Sequence, residues 1–189
     1  MSAERRDEGW LEGLFRAHHR AVLAYAVRRV PDEADDVLSE VFAAAWRHRD
    51  RVPDEPLPWL YRTAAHQVQH RRRSTARRTR LAVRLGGLGG EGSPAAVIDS
   101  TDDVVDRVVS AQRVARLLDA LPPRDAEILR LSAWEQLDAA SIAYVLSISP
   151  TAVRVRLHRA RRRAEQLLAA PDPEASAHVA PPLVPEEIR

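Results

Sequence analysis

The 189-residue chain contains no cysteine and no lysine. Without cysteine it has neither a disulfide framework nor a thiol redox switch. Without lysine, its positive charge rests on 29 arginines, which 27 acids reduce to a formal net charge of +2. No apolar stretch approaches the length of a membrane span, and the amino-terminal MSAERRDEGW has no signal-peptide core. A soluble, cytoplasmic protein is expected. No alternating strand pattern stands out, so the predicted fold is all-α.

What is present is unevenly placed. From Arg62 to Arg84 there are eight arginines and no acid, and six more lie between Arg154 and Arg163. Asp32, Glu33, Asp35, Asp36 and Glu40 crowd one predicted helix, while Glu91, Asp99, Asp102, Asp103 and Asp106 mark the middle. Such segregation suits a protein that meets nucleic acid with one surface and a protein partner with another.

Glycine and proline divide the chain. Leu85–Pro94, LGGLGGEGSP, cannot hold a helix. The tail from Pro171 onward is proline-rich and is expected to be disordered. Two helical blocks remain, about 8–80 and 106–169, with a linker over 81–105 and a tail over 170–189. Each block is short for an independent core, so a partner is expected to add stability.

In the first block Leu11, Leu14, Phe15, Val22 and Ala26 predict an amphipathic helix ending near Val30-Pro31. Asp32 is then expected to cap a helix whose apolar stripe is Ala34, Val37, Leu38, Val41, Phe42, Ala45 and Trp46. Its other face carries Asp36, Ser39, Glu40 and Ala43. A third helix is predicted from about Trp59 into Arg71–Arg73.

In the second block a helix over about Val105–Asp119 precedes Leu121-Pro122-Pro123, and another covers Asp125–Trp134. Then comes LDAASIAYVLSISPTAVRVRLHRARRR, Leu137 to Arg163, with the pattern of a helix-turn-helix. Ser149 can cap orphan N–H groups, and the fixed φ of Pro150 suits a first helical position. Val153, Leu157, Ala160, Ala164 and Leu167 form the buried stripe, interleaved with arginines. Such a helix can enter a DNA major groove; the alternative is a plain helical hairpin with a solvated basic face.

These blocks, in this order, resemble an extracytoplasmic-function sigma factor of the sigma-70 family. ALPPRDAEILRL at Ala120–Leu131 and the helix-turn-helix resemble the sigma-4 domain. DEADDVLSEVFAAAW at Asp32–Trp46 and PWLYRTAAH at Pro58–His66 resemble the sigma-2 domain. The resemblance implies two small helical domains on a flexible linker, and a factor that binds core RNA polymerase and directs it to promoters. It implies no catalysis and no cofactor.

By that resemblance Asp36, Ser39 and Glu40 dock on the clamp helices of the largest polymerase subunit, and the second domain meets the flap region. Asp36 and Glu40 lie one turn apart, suited to arginines of a partner helix; the alternative is a solvated face. The third helix would face the −10 element through Trp59, Arg62, His66, His70, Arg71, Arg72 and Arg73, with Arg77 and Arg78 beyond. Trp59 and Tyr61 are the aromatics available for base stacking, although Trp59 equally suits the core. Each phosphate neutralised there adds about −0.9 to the log–log salt slope. Base reading also falls to the preceding loop, about 51–58. In the recognition helix Thr151, Arg154, Val155, Arg156 and Arg159 lie off the buried stripe and would meet the −35 element. Residues 85–105, fully extended, reach about 70 Å, which matches roughly two turns of DNA between the elements. The acidic linker would thread the RNA path or serve as a plain tether. An anti-sigma factor is the remaining expected partner.

Several residues depart from the usual pattern and bear on which promoter is read. Ser147 and Thr151 stand where glycine is common, and Ser39 replaces a common glutamine. Thr63, Ala64, Ala65 and His66 stand where the promoter helix usually has Ile-Ala-Arg-Asn, and His70 replaces an acid. Two rivals remain: a stand-alone helix-turn-helix regulator, against which the first block lacks a phosphoacceptor βα pattern, and a metal protein or enzyme. His66 and His70 share a helical spacing, as His18 and His19 lie together, but without cysteine or an HExxH-like base no metal site is expected.

Overall fold

The computed structural model describes residues 6–84 and 113–169, apart from the side chains of 81–84. Helices account for nearly all of them, and no strand occurs among the described residues. The readings of 85–105 as a linker and of 170–189 as a disordered tail fall outside the described residues, as does the 105–112 part of the predicted helix.

Helix α1, Glu8–Val27, begins where the Asp7 carboxylate accepts the Trp10 N–H at 3.1 Å. It buries Leu14, Val22, Tyr25 and Ala26, and its last carbonyls are taken by the N–H groups of Arg28, Arg29 and Val30. Helix α2, Ala34–Arg47, follows a 3₁₀ turn at Pro31–Glu33. Asp32 does not cap α2, contrary to the sequence expectation. A cap needs extended backbone ahead of the helix, and here Val30 takes that place while Pro31 opens the 3₁₀ turn, leaving Asp32 inside it. Glu33 sits at the α2 cap position and makes no side-chain capping bond.

Helix α3, Leu57–Arg84, runs well past the arginine cluster where sequence placed its end. At 1.5 Å per residue its 28 residues span about 42 Å. Leu60, Tyr61, Ala64 and Val68 are its buried stripe.

In the second half, α4 covers 113–119 and α5 is Pro123–Ala133. Asp138 caps α6, Ala139–Leu146, by accepting the Ser141 N–H at 2.7 Å. Ser147 then turns the chain with φ 54°, the left-handed geometry that glycine adopts most easily, while the Ile148 N–H returns to the Ala143 carbonyl at 3.1 Å. This is a Schellman-type closure made without glycine, at a cost of about 1 kcal/mol. Ser149 Oγ accepts the Ala152 N–H at 3.1 Å and starts α7, Pro150–Ala169. Val153 and Ala160 are buried beneath α7 as the stripe predicts, but Leu167 is exposed.

The two halves share a core. Tyr25, Val37, Leu60, Tyr61 and Val68 belong to the same buried cluster as Ile128, Leu131, Ile142, Val145 and Val153. Helix α3 packs on both α2 and α6, so the helix-turn-helix is seated on the first half through its supporting helix. A smaller cluster of Leu118, Leu121 and Ala126 packs α4 against α5.

Candidate nucleic-acid interface

Helix α7 docks through Val153 and Ala160, with Leu157 packed against the core between them. Thr151, Arg154, Val155 and Arg159 are exposed, and Arg156 is half-buried. Val155 leaves 45% of its surface open to solvent between two arginines. None of the arginines of this helix forms an ion pair among the described residues. The helix therefore offers forked N–H donors and a small apolar contact on one face, the chemistry that reads guanine edges and thymine methyls.

On α3 the predicted set divides. His66, His70, Arg72 and Arg73 are exposed. Trp59 is half-buried and packs against the core, and Arg62 stacks over Tyr144 of α6 with its guanidinium 4.8 Å from the ring centre. Arg71 is turned inward to Glu33 at 2.5 Å and Asp36 at 3.5 Å. Tyr61 is not available for stacking on a base. It is buried against Tyr25 with ring centres 5.3 Å apart, and burial raises its phenol above the usual tyrosine range. Its position continues the Leu60–Ala64–Val68 stripe, which outweighs the aromatic's usefulness at a surface.

On α2, Asp36, Ser39, Glu40 and Ala43 form an exposed strip opposite the buried Val37, Val41, Phe42 and Ala45. Asp36 keeps most of its surface open even with Arg71 beside it. The strip is a compact acidic face on a rigid helix. Arg6, which sequence reasoning passed over, braces the adjoining loop: its guanidinium donates to the Arg49 and Val52 carbonyls, pairs with Asp54 at 3.3 Å and lies 5.3 Å over the Trp10 ring.

The junction of the halves holds a second set that sequence reasoning missed. Arg29 reaches Glu127 at 2.8 Å and Glu135 at 3.1 Å, and Arg28 reaches Glu135 at 2.7 Å. The Arg29 and Glu135 side chains are 1% and 0% exposed. Arg29 also lies 3.6 Å from the Tyr25 ring centre, and burial drives that phenol's ionisation far above its ordinary range. One signal was available: Arg29 continues the spacing of Val22, Tyr25 and Ala26, so an arginine occupies a core position. Beside this cluster a cavity of about 630 Å³ is lined by His66, Gln69 and Arg72 of α3 and by Arg124 and Arg156 from the second half.

Among the described residues no helix is long and apolar enough to cross a membrane, and no three His, Asp or Glu side chains are grouped to hold a metal ion.

Residues 14–78 match the sigma-70 region 2 family and residues 111–163 match the sigma-70 region 4 family. The ECF RNA polymerase sigma factor SigL of Mycobacterium tuberculosis is 28% identical over 165 residues, covering 85% of this chain and 89% of its own. The RNA polymerase sigma factor CnrH of Cupriavidus metallidurans is 32% identical over 159 residues, covering 80% of this chain and 83% of its own. Among solved structures, CnrH bound to the cytosolic domain of CnrY superposes with a TM-score of 0.56 at 27% identity, over 88% of this chain and 92% of that one. The sigma factor RpoE of Bartonella quintana, in complex with the anti-sigma factor NepR, shares the fold with a TM-score of 0.63 at 18% identity, over 85% of this chain and 98% of that one. Both motif sets, their order and the helical architecture agree, and the chain belongs to the extracytoplasmic-function group of the sigma-70 family, as a sigma factor that directs transcription initiation.

Proposed function

We propose a division of labour among three helices. The α2 strip of Asp36, Ser39 and Glu40 docks on the clamp helices of the largest polymerase subunit, and the second half reaches the flap region. Helix α3 meets the −10 element through Trp59, Arg62, His66, His70, Arg72 and Arg73, with Arg71 linking it to the acidic strip. Helix α7 reads the −35 element through Thr151, Arg154, Val155, Arg156 and Arg159. The protein acts by binding rather than by catalysis, in the cytoplasm where polymerase and promoters are found.

The observation that carries this reading is the separation of charge by helix. An exposed acidic strip lies on α2, while the arginines of α7 face outward without acidic partners among the described residues. A polymerase and a duplex present opposite charge requirements, and each surface here is complementary to one of them. An anti-sigma partner fits the same picture. RpoE was solved with the anti-sigma factor NepR and CnrH with the cytosolic domain of CnrY, and a protein covering the α2 strip or α7 would silence this chain.

The test separates the surfaces. Asp36→Arg combined with Glu40→Arg is expected to weaken binding to core polymerase at least tenfold with helix content unchanged. The lost Arg71–Asp36 pair is too exposed to matter for stability. Arg154→Ala combined with Arg156→Ala is expected to spare core binding and reduce promoter-directed initiation. Each lost bidentate contact to guanine costs about 1–3 kcal/mol of discrimination. The measurements are affinity for core polymerase and transcription from a genomic promoter library. The same defect from both pairs would refute the division.

A further inference from the structure

Arginines from separate parts of the fold line one cavity. Arg72 comes from α3, Arg124 from α5 and Arg156 from α7, while Arg29 follows α1. Glu127 is the single acid among the lining residues, and it is already paired with Arg29 at 2.8 Å. Arg72, Arg124 and Arg156 form no ion pair among the described residues. A run of arginines along one helix spreads its charge into solvent. These residues are far apart in sequence, and the fold turns them onto a shared concavity whose low-dielectric walls concentrate the field. Neighbouring Arg130 responds to it: burial lowers its pKa, and the charges of Arg29 and Arg72 lower it further against the pull of Glu127.

The rest of the wall is not basic. Val68, Ile128, Leu146 and Ile148 supply an apolar side, and the Gln69 amide and Ser147 hydroxyl add neutral hydrogen-bonding groups. At about 630 Å³ the cavity has the size of a small-molecule site, with the apolar wall and few convergent polar groups that such sites show. A duplex, whose major groove alone is about 12 Å wide, does not enter such a space.

We propose that this cavity binds a phosphorylated metabolite of nucleotide size, whose phosphate groups pair with Arg72, Arg124 and Arg156 and whose remainder lies on the apolar wall. Guanidinium forks match phosphate oxygens two at a time. A chain of two or three phosphates carries the charge to answer three arginines, whereas a lone carboxylate does not. The apolar wall gives a nucleoside something to bury against, which an inorganic polyphosphate chain cannot use. Occupancy has a regulatory consequence. Arg72 and Arg156 also serve the proposed −10 and −35 surfaces, so a ligand that holds them withdraws both from DNA. That consequence, unlike the binding itself, rests on the reading that α3 and α7 contact the promoter.

Arg124 separates the two, because it lines the cavity, is exposed, and has no place in the proposed promoter or polymerase surfaces. The experiment titrates the full chain with adenosine triphosphate, guanosine triphosphate and inorganic triphosphate by calorimetry, at fixed ionic strength and without divalent metal. Saturable binding of one nucleotide per chain is expected, with a raised melting temperature because the ligand binds the folded form. Arg124→Ala is expected to bind it about tenfold more weakly, the loss of one charge-assisted contact. Its unliganded melting temperature and its affinity for core polymerase should match the wild type. Equal affinity for inorganic triphosphate and the nucleotides keeps the phosphate site and identifies a polyphosphate chain as its ligand. No saturable binding of any of the three, or binding that Arg124→Ala leaves unchanged, overturns the site. Competition is then read on a mixed-sequence DNA duplex. Saturating nucleotide is expected to weaken duplex binding by the wild type, and to do so less for Arg124→Ala at the same concentration. Nucleotide binding without competition keeps the site and instead refutes the assignment of Arg72 and Arg156 to DNA.

Discussion

In the first half Arg71 lies against Glu33 and Asp36, Arg6 is bound to two carbonyls and Asp54, and Arg49 stacks over Trp46. In α7 the arginines at 154, 156, 159 and 161–163 meet no acid among the described residues. The residue type is the same and its role is set by its neighbours. Where acids stand within one or two turns or across a helix pair, arginine fixes structure; where none does, its donors remain for a ligand. The two halves also differ in what they bury. The first encloses Tyr25, Phe42, Leu60 and Tyr61 among three mutually packed helices. The second contributes Ile128, Leu131, Ile142 and Val153 to that same cluster, and its separate cluster is only Leu118, Leu121 and Ala126.

Truncating the shared core is the strongest way to break this contrast. Leu60→Ala in the first half and Ile142→Ala in the second each remove a side chain with no exposed surface. Each is expected to cost about 2–5 kcal/mol. If the second half depends on the first, calorimetry of either variant shows one lowered melting transition. Two transitions, with only the mutated half shifted, would mean that the halves are stable separately and merely touch.

The same comparison explains what sequence could reveal. Period-3.6 patterning found most of the stripe of α2, with Ala34, Val37, Val41, Phe42 and Ala45 buried as predicted, Leu38 and Trp46 only half-buried, and Ala44 buried beside them. The turn at Ser147 and the cap at Ser149 were legible because they depend on neighbours a few residues away. Periodicity identifies a buried face without naming what covers it. Tyr61 was therefore offered to DNA when it belongs to the Tyr25 contact, and the long-range partnership of Arg29 with Glu127 and Glu135 was missed. Asp32 failed as a cap because Pro31 moved the helix entry one residue upstream of it. The candidate surfaces fared better than the junction. A surface residue needs only to lie off the stripe, whereas the junction required knowing which two faces meet.

A smaller effect sharpens the contrast at the recognition helix. Ser149→Ala removes the hydroxyl that satisfies the Ala152 N–H and should destabilise the protein by about 1 kcal/mol. Since α7 begins there, frayed first-turn residues would move Thr151 and Arg154 before any other candidate. Duplex affinity should fall in proportion to the lost order, while affinity for core polymerase stays unchanged. Thermal melts and the two binding assays distinguish this from general unfolding, which would lower both affinities together.

The smallest expected effect concerns pH at the supporting helix. Hydrogen bonds from Ser141 hold the Asp138 carboxyl below its ordinary value of 3.8. A group whose folded pKa is depressed stabilises the fold above its unfolded pKa and loses that contribution as pH falls through the folded one. Asp138→Asn preserves a good capping oxygen while removing the titration. The stability difference between wild type and this variant should be flat from neutral pH down to the ordinary carboxylate range, then change in the variant's favour on further acidification. Urea melts across that window measure it. A difference that stays constant through acid would show that the Ser141 contacts act on the carboxylate by geometry alone. In that case the capping of α6 would be insensitive to charge, unlike the pairing of Arg29 with Glu127 and Glu135.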